Sequence, residues 1–278
     1  MNALRRDRAL MIGLAALAAL ALVVIIGPWF SPYACDEIDF AGQWSAPPSL
    51  TGAHWFGTDS LGRDLFVRTL CGGRLSLLVG IVSTLVSLLI GVLVGAVAGY
   101  VGGRIDNLLM RAVDVLYALP FMFLVIVLMV LFGRHLLLMF VAIGAVNWLD
   151  MARVVRGQTL ALRQRDFVAA ARLAGLSERQ IIARHIVPNL AAVVAVYAAL
   201  TMPQVILIES FLGFLGLGVQ APAASWGALV NDGAREMEAA PWSLLFPAAM
   251  LTITLLLLNV VGERLRALFA APARGASP

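Results

Sequence analysis

The sequence predicts an all-α integral membrane protein with six transmembrane helices. Of its 278 residues, 61% are hydrophobic and only 13% are charged, and the mean hydropathy is +0.92. Soluble domains have about 45–50% apolar and about 25% charged residues, so this balance excludes a water-soluble globular protein. High hydrophobicity also excludes a disordered chain, and two cysteines are too few for a disulfide scaffold.

Six segments are apolar and long enough to cross a hydrocarbon core of about 30 Å, which takes about 20 residues. The third contains Pro120, which membrane helices tolerate when their neighbours satisfy the freed carbonyl. The fourth reaches full length only by including Asn147, Trp148 and Asp150. The predicted spans are 9–30, 75–99, 115–133, 135–152, 190–217 and 242–262.

The arginines predict how the chain is oriented. All 20 basic residues are arginine, and positive charge near a span is retained on the cytoplasmic side. With the N-terminus inside, fifteen arginines fall in inside segments and five in outside segments. We therefore expect a cytoplasmic N-tail at 1–8, a periplasmic loop at 31–74, a cytoplasmic loop at 153–189 and a cytoplasmic C-tail at 263–278. Membrane topology accounts for the net charge of +4, so no nucleic-acid partner is expected.

Two cysteines lie in the predicted periplasmic loop. An oxidising compartment would permit a bond between Cys35 and Cys71, but their spacing does not show proximity, and we expect two unpaired residues. The first span follows basic residues as a signal peptide does, yet its apolar run is too long for a signal core. A lipoprotein signal is also disfavoured, because Pro32 stands three residues before Cys35 where leucine is expected.

The cytoplasmic loop is too long for a simple connector, and it predicts a helix–turn–helix hairpin. Residues 158–173 form a helical run, and Gly175 is placed to end it in a left-handed conformation. Ser177 and Gln180 have the spacing of a capping box, and Pro188 is expected to stop the second helix. The candidate apolar stripe of the first helix is Leu160, Phe167, Ala170, Ala171 and Ala174. Such a hairpin is suited to docking into a groove on another protein.

Several kinds of chemistry are excluded. Without lysine the chain can form neither a P-loop nor a Schiff base. Its three histidines lack metal-ligand spacing, and no G-x-S-x-G motif occurs. We expect no catalytic residue, no cofactor and no metal site in this chain.

A set of motifs resembles the membrane subunits of ABC importers. Residues 166–175, followed by His185-Ile-Val-Pro188, are similar to the "EAA" loop of these subunits. Further stretches extend the resemblance to the peptide-importer branch, the oligopeptide/dipeptide permease family, over about residues 54–266. These stretches are 56–64, 99–106, 120–123, 148–153, 152–158, 211–218 and 225–227.

The resemblance implies a type I ABC importer transmembrane domain in a bacterial inner membrane, with its core at 75–262. It implies these partners: a second homologous permease subunit, two ABC ATPase subunits, a periplasmic peptide-binding protein, membrane lipid and a peptide substrate. The hairpin becomes an ATPase-docking element that couples ATP hydrolysis on partner chains to alternating access. Its candidate docking residues are Asp166, Ala169, Ala170, Ala171, Gly175, His185 and Pro188. Ala169 replaces the glutamate that names the loop, and Asp166 and Glu178 are the carboxylates available in its place.

Within the membrane, Gly91, Gly95 and Gly99 form two consecutive G-x-x-x-G steps, which predict close helix packing. Glu209 is an ionisable group in the fifth span, where such groups are costly. Two interpretations stay open: it lines the path and meets a peptide ammonium, or it pairs with Arg111 or another buried donor. Other candidate path residues are Pro203, Gln204 and Ser210.

Two alternatives remain for the function. Permeases for dipeptides, glutathione or nickel share the same motifs. A self-sufficient secondary transporter would also be apolar and basic inside, but such folds often show inverted repeats, and the two halves of this sequence show no convincing similarity.

Overall fold

The computed structural model describes residues 7–40, 44–133 and 136–270, and within these ranges the secondary structure is helical apart from two isolated β-bridges in one loop. Its helices are α1 Arg8–Ile26, α2 Leu65–Val101, α3 Gly103–Ala118, α4 Phe121–Phe132, α5 Leu136–Arg163, α6 Asp166–Leu173, α7 Glu178–Ile181, α8 Val187–Phe214, α9 Trp226–Arg235 and α10 Pro241–Ala270. A 3-10 turn extends α1 over Gly27–Phe30, and a π turn at Ile182–Ile186 joins α7 to α8. Residues 1–6 of the predicted N-tail, 271–278 of the predicted C-tail and His135 lie outside the described residues, and α10 continues to Ala270 beyond the predicted end of the sixth span at 262.

Five described helical segments are long and apolar enough to cross a membrane: α1 with its 3-10 turn, α2, α5, the continuous helix Glu178–Phe214 and α10. The pair α3 and α4 is bent by 82°, and it makes a sixth span if it is counted as one unit. The span predicted at 115–133 is therefore not one continuous helix, because it contains this break. Leu119 has extended backbone angles because it precedes Pro120, and the 12 residues of α4 fall short of the about 20 that a span needs.

The bundle has two distinct ends, which the long helix α2 connects. Near the C-terminal end of α2, Tyr100 contacts Arg172 of the predicted hairpin, and we call this the hairpin end. At its N-terminal end, Thr69 accepts a hydrogen bond from Trp226 of α9, and Cys71 is bonded to Cys35. We call this the disulfide end.

The disulfide corrects the expectation of two unpaired cysteines. Cys35 and Cys71 are covalently joined, with their Cα atoms 6.2 Å apart. Helix α2 begins at Leu65, ten residues before the predicted span at 75, because Asp64 caps it by accepting from the backbone N–H of Val67 at 2.8 Å. The early helix start brings Cys71 under the loop that follows α1.

The hairpin is also shorter than the predicted loop at 153–189, because α5 continues to Arg163. Pro188 does not stop the second helix as predicted. It lies at the start of α8, directly after a π turn, and the wider turn carries the helix on through the proline without a break. At its far end α8 stops at Phe214, three residues before the predicted boundary.

Buried side chains fasten the hairpin to the bundle. Val168 and Ala171 of α6 belong to one apolar cluster with Tyr100 of α2 and Val155 of α5. A second cluster, centred on Val79, lies between α2, α4, α5 and α8. The hairpin therefore packs on the same helices that form the middle of the bundle.

Candidate functional site

The turn of the hairpin forms as its sequence predicts. Gly175 has φ +77°, its N–H donates to Arg172 O at 3.0 Å, and the N–H of Leu176 donates to Ala171 O at 3.2 Å. These two bonds define a Schellman motif, which needs a left-handed residue at Gly175. The capping box is also present, since the Ser177 N–H donates to Gln180 Oε1 at 2.9 Å and Ser177 Oγ accepts from the Gln180 N–H.

The buried face of α6 differs from the predicted stripe. Val168 and Ala171 are buried, whereas Phe167, Ala170 and Ala174 are exposed. The reason is that the chain breaks between α5 and α6, so Leu160 and α6 do not share one helical register. The exposed small residues, together with Leu173 at 90% exposure, leave an apolar surface facing away from the bundle.

The remaining docking candidates lie on the surface of the hairpin. Asp166, Ala169 and Pro188 are exposed, and His185 is half-buried with its ring centroid 6.5 Å from that of Phe167. Neither Asp166 nor Glu178 forms an ion pair within the described part of the chain. Both residues are exposed.

Arg172 adds a polar link between the hairpin and α2. The Arg172 Nε donates to Tyr100 Oη at 3.3 Å, and its guanidinium lies 5.3 Å from the centroid of the Tyr100 ring. A cation over an aromatic face is attracted by the ring quadrupole. These contacts join α6 to the C-terminal end of α2.

Two ion pairs that the sequence analysis missed join α3 to α5 at the hairpin end. Arg156 contacts Asp106 through Nε at 2.5 Å and through a second nitrogen at 2.6 Å. Arg153 contacts Asp114 at 2.7 Å. The bidentate pair is the geometry that guanidinium favours with carboxylate. The charged residues are evident in the sequence, but which of them pair is not. The pairing depends on the turn between α2 and α3 at Gly102, which has φ +72°.

The three glycines of α2 pack against α5, as their spacing predicts. A Cβ at Gly91 would lie 2.6 Å from Met151 Cβ, one at Gly95 2.5 Å from the carbonyl oxygen of Ala152, and one at Gly99 2.7 Å from the carbonyl oxygen of Arg156. Only glycine permits this approach of two backbones.

Glu209 is fully buried and forms hydrogen bonds with two hydroxyl groups. Ser76 Oγ of α2 donates to its Oε2 at 2.9 Å, and Ser210 Oγ lies 3.4 Å from the same atom. Ser76 Oγ in turn accepts from the backbone N–H of Trp226 at 3.1 Å. The suggested partner Arg111 is wrong, because Arg111 is exposed on α3; the buried donor is Ser76. Glu209 thus connects α2, α8 and α9.

The other candidate path residues are distributed differently. Pro203 and Ser210 are buried within the bundle, and Gln204 is exposed. A cavity of about 360 Å³ that the sequence did not indicate lies at the break between α3 and α4, with Asn147 and Asp150 as its polar residues. In the described ranges, no cluster of three or more His, Cys, Asp or Glu side chains is arranged to hold a metal ion.

Two known protein families match parts of this chain. Residues 91–274 match the family described as binding-protein-dependent transport system inner membrane component, and residues 1–48 match the N-terminal TM domain of oligopeptide transport permease C. The chain therefore belongs to the family of binding-protein-dependent inner membrane transport components.

Curated relatives cover nearly the whole chain. The oligopeptide transport system permease protein OppC of Escherichia coli K12 is 55% identical over 94% of this chain and 86% of that protein. OppC of Haemophilus influenzae is 51% identical over 94% of this chain and 84% of its own length. The dipeptide transport system permease protein DppC of Bacillus subtilis is 44% identical over 95% and 82%.

A solved structure supports the fold. The MetNI methionine ABC transporter in an inward-facing conformation has a chain that superposes with a TM-score of 0.57 at 19% identity. The match covers 73% of this chain and 96% of that chain. The predicted fold class, a type I ABC importer transmembrane domain, is confirmed.

Proposed function

We propose that this chain is the transmembrane subunit of an ATP-driven importer for oligopeptides and forms half of the path across the inner membrane. The observation that carries the proposal is 55% identity to an OppC protein over 94% of the chain, which includes the hairpin and all the packing glycines. The lack of lysine supports ATP hydrolysis on partner chains, because a P-loop cannot be built without it.

The partners follow from this assignment. A second homologous permease subunit completes the path, two ABC ATPase subunits dock on the hairpin, and a periplasmic binding protein delivers the peptide. The exposed surface of α6, held by the Schellman turn at Gly175 and joined to α2 through Arg172 and Tyr100, supports the docking role. Docking there would transmit ATPase closure to α2 and on to the spans.

The orientation belongs to the same proposal. Both termini and the hairpin are cytoplasmic, and the disulfide end is periplasmic. The arginine distribution supports this orientation, and a disulfide between Cys35 and Cys71 is typical of an oxidising compartment.

A second cargo class, dipeptides, is favoured by the 44% identity to DppC of Bacillus subtilis. Peptide-stimulated ATPase activity of the reconstituted complex with its binding protein separates the two. If tri- to pentapeptides stimulate ATP hydrolysis more strongly than dipeptides, the oligopeptide assignment is supported. If dipeptides stimulate it more strongly, the dipeptide assignment is supported. Stimulation by neither class contradicts both assignments.

A further inference from the structure

A cavity of about 520 Å³ lies at the disulfide end, outside every site described so far. Its walls come from the turn at 59–63, the start of α2, the loop that follows α8, and the helix α9. Cavities that bind small ligands have volumes of about 300–1,000 Å³, so this one has the capacity for a short peptide segment.

Fixed hydrogen bonds hold the walls in place. Asp59 Oδ1 accepts from the backbone N–H groups of Leu61 and Arg63 at 3.0 Å each, and Asp59 Oδ2 accepts from Arg63 Nε at 2.8 Å. The buried Arg68 Nε lies 3.4 Å from the same carboxylate. Across the opening, Glu236 accepts from the backbone N–H and the hydroxyl of Ser60. The cavity is therefore preformed, which lowers the cost of binding a ligand.

The cavity has three arginines and three carboxylates, which are Arg63, Arg68, Arg235, Asp59, Asp232 and Glu236. Asp59 is paired with the first two arginines, and Glu236 is occupied by Ser60. The side chains of Asp232 and Arg235 form no ion pair or hydrogen bond within the described residues, and both are exposed. They stand three residues apart on α9, a spacing that places them on one face.

Asp232 lies within electrostatic range of Arg68, Arg63 and Arg235, but it accepts no hydrogen bond from the described residues. Asp232 and Arg235 have the charge signs that the two ends of a peptide require. An ammonium group pairs with a carboxylate, and a carboxylate accepts two parallel hydrogen bonds from a guanidinium. The apolar part of the wall includes four alanines, at positions 221, 223, 224 and 228, together with Leu61 and Val219. Ser60, Gln220 and Asn231 add uncharged polar groups to the wall.

We propose that this cavity binds the main-chain charges of a short peptide, with its ammonium at Asp232 and its carboxylate at Arg235, before the peptide enters the membrane. The inference rests on the proposed function. A docking surface for the binding protein is the competing occupant, but stable protein interfaces bury about 800 Å² on each partner, whereas this feature is a concave pocket with its free charges on the last turns of one short helix.

The test uses the complete reconstituted importer with its binding protein and a photoreactive labelled tripeptide. In the unaltered complex we expect the label to attach to α9. Asp232→Asn should lower attachment of the free tripeptide about tenfold, which corresponds to the loss of one charge-assisted contact of about 1.4 kcal/mol. The same variant should leave attachment of an N-acetylated tripeptide unchanged, because that peptide has no ammonium group. Arg235→Gln should show the same loss for the free peptide and no effect on a C-amidated one. Glu238→Gln is the matched control, because this exposed carboxylate follows α9 but does not line the cavity.

The outcomes separate this inference from the proposed function. ATP-dependent uptake by the unaltered complex, measured in the same vesicles, tests the importer itself. If uptake is present but labelling misses α9, or both variants label like the control, the cavity is not a peptide site. If the variants weaken stimulation of ATPase activity by the peptide-free binding protein, the cavity is a docking surface and the inference is overturned.

Discussion

The glycines of α2 determine how closely two spans approach. A Cβ at Gly95 would lie 2.5 Å from a backbone oxygen of α5, and backbone atoms cannot rotate away as a side chain can. Gly157 on α5 is also helical, but a Cβ there meets nothing within 4 Å. The two positions therefore provide a matched pair.

We expect Gly95→Ala to destabilise the protein by about 1–3 kcal/mol, as overpacked positions do. Gly157→Ala should instead be neutral or stabilising by up to about 1 kcal/mol, because alanine favours helix. The thermal unfolding midpoint of each purified variant complex measures both effects. Equal midpoints for the two variants would show that α2 and α5 do not pack as described.

The buried carboxyl of Glu209 gives a second prediction. Glu209→Gln keeps an oxygen that accepts from Ser76, whereas Glu209→Ala removes the acceptor and leaves a void. We expect Ala to cost about 1–3 kcal/mol and Gln to stay close to the unaltered protein in unfolding midpoint. If Gln abolishes uptake while leaving the midpoint unchanged, the charge acts on the cargo, and the connecting role described here is insufficient.

At the scale of single elements, local signals predicted the hairpin turn correctly. Gly175, Ser177 and Gln180 act through bonds that reach no more than five residues along the chain, so sequence contains the needed information. The prediction that the second helix ends at Pro188 was wrong, because the π turn at Ile182–Ile186 lets the helix continue past the proline. The hydrogen-bond partner of Glu209 could not be predicted from the sequence, because Ser76 is 133 positions away and only tertiary packing brings the two together.

The left-handed residue of the hairpin gives an element-scale prediction. Gly175 has φ +77° and open space around a would-be Cβ, so its conformation and not its size is the requirement. Gly175→Asn should preserve the turn, because asparagine tolerates this region. Gly175→Val should strain it by about 1–2 kcal/mol or more and reduce copurification of the ATPase subunits. Equal copurification of the ATPase subunits with both variants would show that docking does not require the turn at Gly175.

At the scale of the whole molecule, composition predicted the class and the number of apolar segments, but not how they bend or cross-link. The 82° break at Pro120 follows helix α3, whose carboxylates Asp114 and Asp106 pair with Arg153 and Arg156 of α5. The bond between Cys35 and Cys71 depends on the loop folding over α2. The disulfide and the two ion pairs depend on contacts between segments distant in sequence, whereas the break itself is a local effect of Pro120.

Topology yields a prediction from the two cysteines, which are the only ones in the chain. In spheroplasts, a membrane-impermeant maleimide should label neither cysteine until an impermeant reductant is added, and should then label both. The double variant Cys35→Ser, Cys71→Ser has no cysteine and serves as the control for unspecific labelling. Labelling that requires permeabilised membranes would place the disulfide end in the cytoplasm and reverse the proposed orientation.

The central claim is that partner ATPases drive peptide transport through this chain. The most direct measurement is uptake of a labelled tri- to pentapeptide into proteoliposomes that contain this chain with its second permease subunit, both ATPase subunits and the binding protein. We expect uptake that requires ATP and stops when the ATPase subunits or the binding protein are left out. Uptake by this chain alone, driven by an ion gradient, would contradict it.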